Sequence, residues 1–271
     1  MSRGAARVAR SATRRAQAML DKAGVPGAPS AWALLIVAWA GAAPAMAQPA
    51  AGPWSLQLTP YVWAAGVGGE LRPLSGAPTV SFSKSFSDVL GDLDAAVFVS
   101  GLARRGSLVL LGDLTHVASS RDGRVPPGVP AEGRLRQTSL TVAAGQRVFD
   151  DGRTTVDVLA GVRAWHLRSQ LSVLGGALSR SPGKTFGDPI AALRIHTAFA
   201  PRWSALLQAD VGGFGVGSDF TAQAVAAVNY SIDQRLTVSG GYRTLSVDYR
   251  DGGTRIDATL SGPLLGLTWR F

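Results

Sequence analysis

The chain has 271 residues, 46% of them hydrophobic, with 33 glycines and no cysteine. Without cysteine there is no disulfide scaffold, so stability must come from a large closed structure. Residues 1–47 hold six of the 27 Lys and Arg and one of the 18 Asp and Glu, so the formal charge of +9 falls to +4 without them. The other basic residues are scattered singly, which gives nucleic-acid binding little support. No stretch after residue 47 has 18 consecutive apolar residues, so no transmembrane helix is expected.

Residues 1–47 have the three parts of a secretory signal peptide. Basic residues come first, and an apolar run over residues 31–43 follows, too short to span a bilayer as a helix. Ala45 and Ala47 then form an A-x-A cleavage site before Gln48. We therefore predict cleavage between Ala47 and Gln48.

Two alternatives for this segment are a single-pass anchor and a mitochondrial transit peptide. The short apolar run argues against the first, and the compact apolar run with A-x-A argues against the second. Translation could start at Met1 or at Met19. Residues 48–53 are predicted as a short lead-in, and residues 54–271 as one all-β domain.

The pattern of the mature chain predicts an antiparallel transmembrane β-barrel of about ten strands. Most apparent strands exceed the roughly nine to eleven residues that a tilted strand needs to cross a membrane. No helical period competes over a useful length. The predicted strands are Trp54–Ala65, Asp94–Arg104, Ser107–Ser119, Leu135–Phe149, Thr154–Val173, Pro189–Phe199, Trp203–Gly215, Phe220–Tyr230, Arg235–Tyr249 and Arg255–Phe271.

The connections alternate between tight turns and longer segments. Bacterial barrels place short turns in the periplasm and longer loops outside, so both termini are expected in the periplasm. The connection Val216–Asp219 is the exception, a short outward hairpin. Thr79–Ser83 alternates within the first long connection and predicts an extra strand extension, so eight or twelve strands are alternatives. The predicted longer loops are Gly66–Leu93, Ser120–Arg134, Leu174–Asp188 and Arg250–Thr254.

Several predicted strands have one apolar and one polar face. Val238 and Tyr242, for example, alternate with Thr237, Ser239 and Arg243. An apolar face toward lipid and a polar face toward a wet lumen fit a membrane barrel, whereas a soluble lipocalin-like barrel, the alternative, would fill its interior with apolar residues. Aromatic residues near the predicted periplasmic strand ends match an interfacial girdle: Trp54, Trp203, Tyr230, Trp269 and Phe271.

The last strand resembles the C-terminal signature of bacterial outer-membrane β-barrels. Leu265, Leu267, Trp269 and Phe271 alternate with small or polar residues, and the sequence stops on the aromatic Phe271. The resemblance implies that this strand closes the barrel. It also implies that Leu267, Trp269 and Phe271 form a signal read by the barrel-assembly machinery.

Three segments together resemble a group of poorly characterised proteobacterial outer-membrane β-barrel proteins, and more loosely the small OmpA- and OmpW-like barrels. They are the opening motif Trp54-x-x-x-Leu58-Thr59-Pro60-Tyr61-x-Trp63 and the segments Gly240–Tyr249 and Gly262–Phe271. The resemblance covers most of the mature domain and implies a location in the bacterial outer membrane, in contact with its lipid. It implies no agreed reaction.

Charged residues on predicted inward faces are the main candidate site. In a narrow barrel they are expected to come together as a lumen charge cluster, consisting of Asp157, Arg163, Arg194, Asp210 and Arg243. One interpretation is a structural ion-pair plug, since unpaired buried charges are costly. The other is the lining of a narrow pore. We favour the plug because narrow barrels leave room for side chains and little more.

The three histidines, His116, His166 and His196, have no metal-binding spacing, so neither a metal nor another cofactor is predicted. His116 with Ser119 and Asp122 would make an arbitrary triad, and no G-x-S-x-G motif is present. We therefore expect no enzyme. The leading hypothesis is a structural or surface-interaction barrel with a closed lumen. The first alternative is a narrow passive channel for small solutes, and the second is a barrel enzyme acting on lipid or peptide. No oligomeric state is assigned.

Overall fold

The computed structural model describes residues 52–72, 79–125, 129–173, 178–180 and 183–271. The predicted signal peptide, with Ala45, Ala47 and Gln48, lies outside these ranges. Among the described residues, no helix has the length and apolarity needed to cross a membrane. The elements are β1 (Ser55–Trp63), β2 (Gly66–Arg72), β3 (Val80–Lys84), α1 (Phe86–Gly91), β4 (Leu93–Arg105), β5 (Leu108–Val125), β6 (Val129–Asp150), β7 (Thr154–Val173), β8 (Leu178–Arg180), β9 (Gly183–Ala200), β10 (Trp203–Gly213), β11 (Phe220–Ser231), β12 (Leu236–Asp251) and β13 (Thr254–Arg270).

The sheet closes on itself into an antiparallel barrel of ten strands, with two extra strands at its rim, as predicted. β1 pairs with β4 on one side and with β13 on the other. β2 continues along β13 beyond β1, so the two form one barrel strand in two pieces. The Ala64 N–H bridges the break by donating to the Pro263 carbonyl at 2.9 Å. Closure leaves no open edge around the barrel wall, as a membrane-spanning sheet requires.

One end of the barrel carries only tight turns, and we call it the short-turn end. The opposite end, which we call the long-hairpin end, is where the predicted loops were wrong. Residues 120–125 and 129–134 pair with each other and lengthen β5 and β6, and β9 begins at Gly183. These extensions lie beyond the apolar band, where water wets both faces. Their sequence therefore lacks the apolar–polar alternation by which a strand is recognised.

The segment between β2 and β4 holds two further elements. The predicted extension at Thr79–Ser83 is confirmed as β3, which pairs with β2. The short helix α1 was not predicted. Its first turn is a capping box in which the Ser85 hydroxyl and the Asp88 carboxylate each bond the other residue's backbone N–H. This Ser-x-x-Asp spacing was the available signal.

The outer wall carries the apolar faces and the lumen the opposite faces, as predicted. On β13, Leu265, Leu267 and Trp269 are exposed, whereas Leu264 and Thr268 on the other face are buried. A band of exposed leucine, valine and aromatic side chains surrounds the wall. At the short-turn end, the Trp203 and Tyr230 rings pack 4.9 Å apart between centroids, as part of the predicted aromatic girdle.

Candidate functional site in the barrel interior

A network of six polar side chains crosses the middle of the lumen, and we call it the mid-lumen network. Its members come from β1, β5, β7, β10, β11 and β12, in that order: Tyr61, Asp113, Arg163, Asp210, Gln223 and Arg243. Every member is either buried or partly buried. Because these strands surround the barrel, the network joins opposite parts of the wall.

Arg243 forms one half of this network. Its Nη2 donates to Asp113 Oδ1 at 3.0 Å and to Gln223 Oε1 at 2.6 Å, and its Nη1 donates to the Tyr61 hydroxyl. Tyr61 in turn donates to the Asp113 carboxylate at 2.9 Å. The guanidinium also lies 4.7 Å from the centroid of the Trp63 ring, a cation–π contact. Arg243 on β12 therefore reaches across the lumen to a carboxylate on β5.

Arg163 and Asp210 form the other half. Arg163 is fully buried, and its Nη2 lies 2.9 Å from the Asp210 carboxylate. Arg163 also donates to Thr141 at 3.0 Å and to Thr221 at 3.3 Å. Gln223 Nε2 donates to Asp210 at 3.1 Å, which connects this ion pair to Arg243. Every charge of the network therefore has an opposite charge within hydrogen-bond distance.

Asp157 and Arg194, the other two residues of the predicted cluster, belong to a separate network. Asp157 is fully buried between Arg147, at 2.8 Å, and Arg194, at 3.5 Å. It precedes Arg163 by six positions on β7, which is about 20 Å along an extended strand. The prediction of one cluster of five residues is therefore corrected to two networks at different heights, because long strands separate charges along the barrel axis.

Sequence reasoning missed Asp113, Gln223 and Arg147 as partners. Asp113 comes shortly after Leu108-Val109-Leu110-Leu111, a run without alternation. Val109 and Leu111 face the lumen and are buried there, so this strand has apolar residues on both faces. Its inward face could not be recognised from the pattern alone.

Aromatic side chains fill the lumen on the long-hairpin side of the mid-lumen network. The Phe186 ring stacks on Tyr249, with centroids 4.4 Å apart, and on Trp165, with centroids 6.1 Å apart. Trp165 Nε1 donates to Asp188 at 3.1 Å, and Asp188 accepts the Ser218 N–H at 2.6 Å. Asp188 thus fixes the short hairpin between β10 and β11 against β7 and β9.

A cavity of about 140 Å³ lies on the short-turn side of the network. Asp113 and Arg243 belong to its lining, and the rest of the lining combines amides and hydroxyls with apolar side chains and the basic groups of Arg194 and Arg270. Besides the aromatic cluster described above, a cluster of buried apolar side chains lies on the inner face of β5, β6, β7 and β9. Its members are Val109, Leu111, Ala143, Leu159, Ile190 and Ala192.

The histidines do not converge. His116 and His166 lie on the outer wall, where their Nδ1 atoms are 2.8 Å from the Thr138 hydroxyl and 2.7 Å from the Thr185 hydroxyl. His196 faces the lumen, 2.9 Å from the Ser204 hydroxyl. Within the described ranges, no group of three or more His, Asp or Glu side chains could hold a metal ion.

The predicted assembly signal lies on the outer wall at the short-turn end. Leu267 and Trp269 are about half exposed and Phe271 is 71% exposed. The Phe271 N–H donates to the Leu56 carbonyl at 2.9 Å, so the strand pairs to its last residue. Its recognition by assembly machinery stays a prediction.

The closed barrel, its apolar outer band and its polar lumen define this chain as a β-barrel protein of the bacterial outer membrane. The predicted class and location are thereby confirmed. By the rule that such barrels have short periplasmic turns, the short-turn end faces the periplasm and the long-hairpin end faces outward.

Comparison with solved structures gives the same fold. The outer membrane protease OmpT from Escherichia coli is 10% identical, with 83% of this chain and 99% of that chain covered and a TM-score of 0.50. The attachment invasion locus protein Ail of Yersinia pestis is 12% identical, with 80% and 98% covered and a TM-score of 0.35. The translocator domain of autotransporter NalP from Neisseria meningitidis is 12% identical, with 80% and 88% covered and a TM-score of 0.39.

No protein-family profile matches the chain, and no curated protein matches its sequence. At 10% identity, the likeness to OmpT concerns the barrel fold and carries no activity over to this protein.

Proposed function

We propose that this protein is a structural or surface-interaction barrel of the outer membrane whose lumen is closed by its own side chains. The observation that carries the proposal is the reach of Arg243 from β12 to Asp113 on β5, at 3.0 Å. Gln223 connects this bridge to the buried pair of Arg163 and Asp210. Such a set of bonds supports the proposal because it places side chains across the lumen.

The shape of the long-hairpin end supports a role in surface interaction. β5 and β6 extend together to Val125 and Val129, and β2 and β3 form a further hairpin beside β13. These hairpins project beyond the apolar band and present charged side chains, including Arg121, to the outside. Hairpins that extend from a closed barrel into the surrounding water suit binding to a partner outside the cell.

The proposal includes the absence of catalysis. Two observations support it. His116 Nδ1 is hydrogen-bonded to Thr138 on the outer wall, and Ser119, three positions further along β5, points to the opposite face. A triad of Ser119, His116 and Asp122 would therefore have its nucleophile and its base on opposite faces of one strand. An assay of the purified protein with lipid and peptide substrates should give no turnover.

Single-channel recording in planar bilayers tests the closed lumen. The wild-type protein should be silent, because opening requires the separation of buried ion pairs. Removing Arg163 and Asp210 together should raise the conductance, since it removes one half of the mid-lumen network. Asp251→Asn is the control, because Asp251 pairs with Lys184 at the exposed rim, 2.8 Å away. It should leave the protein silent.

A narrow passive channel is the second candidate. The observation that favours it is the 140 Å³ cavity, lined by polar and apolar side chains, which reaches the mid-lumen network from the periplasmic side. The barrier above this cavity consists of side chains, which change rotamer faster than a loop unfolds. Steady conductance of the wild type, with a selectivity that Asp210→Ala alters without loss of stability, would establish the channel and reject the plug.

A further inference from the structure

Two arginines lie side by side on the outer wall of the barrel. Arg136 on β6 is directly opposite Arg168 on β7. Both are exposed and face away from the lumen, because the odd-numbered neighbours Ser139 and Arg163 on the same strands are buried inside. Directly opposite side chains have Cβ atoms about 5 Å apart, so the two guanidinium groups share one small area.

The position of this pair relative to the membrane can be read from the residues nearer the periplasm on the same strands. Leu140 and Val162 belong to the exposed apolar band, and the next row upward contains Thr138 and His166. From Phe149, at the periplasmic rim, to Thr138 is eleven positions, about the length that a tilted strand needs to cross a membrane. The arginine pair is one row further out, at the level of the lipid headgroups of the outer leaflet.

Nothing within the described residues neutralises this pair. Neither arginine makes an ion pair or a hydrogen bond there, whereas the nearby Arg134 pairs with Glu132 at 2.6 Å. Like charges directly opposite each other destabilise a sheet. The neighbouring position on β9 is Gly183, and a Cβ there would contact the Arg168 side chain at 3.7 Å. Because Gly183 has no side chain, none from that position covers Arg168 on the β9 side.

We propose that Arg136 and Arg168 bind the phosphate of a phosphorylated glycolipid in the outer leaflet. Guanidinium groups bind phosphate oxygens through paired, charge-assisted hydrogen bonds, and one phosphate between the two arginines removes their repulsion. The position favours a lipid over a soluble anion. A lipid with its phosphate at this height has its acyl chains against Leu140 and Val162, which lie further down the wall toward the middle of the membrane.

Thermal unfolding in detergent tests the site. Protein extracted from outer membranes and freed of lipid is titrated with diphosphorylated lipid A, with the same glycolipid after removal of both phosphates, and with inorganic pyrophosphate. The melting temperature should rise with the phosphorylated lipid only. The variant Arg136→Gln/Arg168→Gln should need at least about tenfold more lipid for the same rise, since each lost charge-assisted contact weakens binding.

A matched control removes two arginines from the periplasmic turns. Arg105 and Arg153 are exposed there, and Arg105→Gln/Arg153→Gln changes the net charge equally. This control should respond like the wild type. If the double variant at the site does not fold, Arg168→Gln alone is used. An equal rise with the dephosphorylated lipid would overturn the proposal in favour of acyl-chain packing. An equal rise with pyrophosphate would overturn it in favour of a soluble anion, and an unchanged response of the arginine variant would reject the site.

Discussion

Asp210→Ala is expected to destabilise the barrel more than the removal of Asp210 together with its partner Arg163. Asp210 is only 4% exposed and accepts hydrogen bonds from Arg163 and from Gln223, at 2.9 and 3.1 Å. Arg163 is fully buried, and its other contacts are two neutral threonine hydroxyls. The single change therefore removes the carboxylate that is hydrogen-bonded to this buried positive charge.

The size of the effect follows from this burial. Removing one partner of a buried ion pair costs about 3–5 kcal/mol, because the remaining charge stays desolvated. Replacing both partners with uncharged side chains avoids that cost, and such replacements of a buried ion pair are often close to neutral, so mainly a packing defect remains. Arg163→Met/Asp210→Ala should thus be more stable than Asp210→Ala, with an interaction energy of about 2 kcal/mol or more between the two sites.

Urea unfolding in detergent micelles, followed by tryptophan fluorescence and by gel mobility without heating, measures these free energies. The four proteins of the cycle are wild type, Asp210→Ala, Arg163→Met and the double variant. Asp251→Asn at the exposed rim is the control and should not shift the midpoint measurably. If the two single losses simply add in the double variant, the charges do not interact. The reasoning about the plug then fails.

Three further outcomes are expected. Phe271→Ala should lower the amount of folded barrel in cells while changing refolding into micelles little, because one exposed side chain is worth at most about 2–3 kcal/mol by burial; equal losses in both settings would indicate ordinary packing. Gly161→Ala should cost about 1–3 kcal/mol in urea unfolding, because a Cβ there collides with the backbone of β6, whereas Gly112→Ala, with open space around its Cβ, should be tolerated; similar midpoints would refute the collision. Gln223→Leu should destabilise the barrel by about 1–3 kcal/mol, since it leaves an Asp210 and an Arg243 bond unmade, and an unchanged midpoint would show that Gln223 does not connect the two pairs.

The strand count and the inside–outside sense could be predicted because the membrane imposes a strict pattern. Where lipid lies on one side and a polar lumen on the other, neighbouring residues differ in polarity, as in the alternation of Val238 with Thr237 and Ser239. Turn residues such as Asp151-Gly152 then separate one strand from the next. The closed barrel follows from these two signals.

Beyond the membrane, the two faces of a strand are no longer required to differ in polarity. Residues 120–122 are all polar, and residues 120–125 pair with 129–134 through the backbone. The sequence therefore suggests a loop where the structure has a hairpin. The bounds of β5, β6 and β9 at the long-hairpin end could not be predicted for this reason.

The sequence could predict which charged residues face the lumen, but it could not predict which of them form ion pairs with each other. Arg163, Asp210 and Arg243 could be assigned to one face from the alternation, and the predicted signal peptide and the terminal Phe271 indicated that this face is the inner one. The pairing of these charges depends on the register between neighbouring strands, because a shift of one strand along the barrel axis changes the partner of each of its side chains. Arg163 is directly opposite Asp188 on β9, yet its carboxylate partner is Asp210 on β10, one strand further around the barrel. No single-strand pattern contains that information.

The interior network and the outer arginine pair depend on the same two strands. Inside the barrel, Arg163 on β7 donates to Thr141, its directly opposite partner on β6, at 3.0 Å. On the outer wall, five positions nearer the long-hairpin end on each strand, Arg168 is opposite Arg136 in the same register. A slip of one residue would turn one of these side chains to the wrong face, burying a charge or exposing the plug to lipid. The buried network thus holds β6 and β7 in the register that places two positive charges together at the edge of the outer leaflet, where a lipid phosphate can neutralise both.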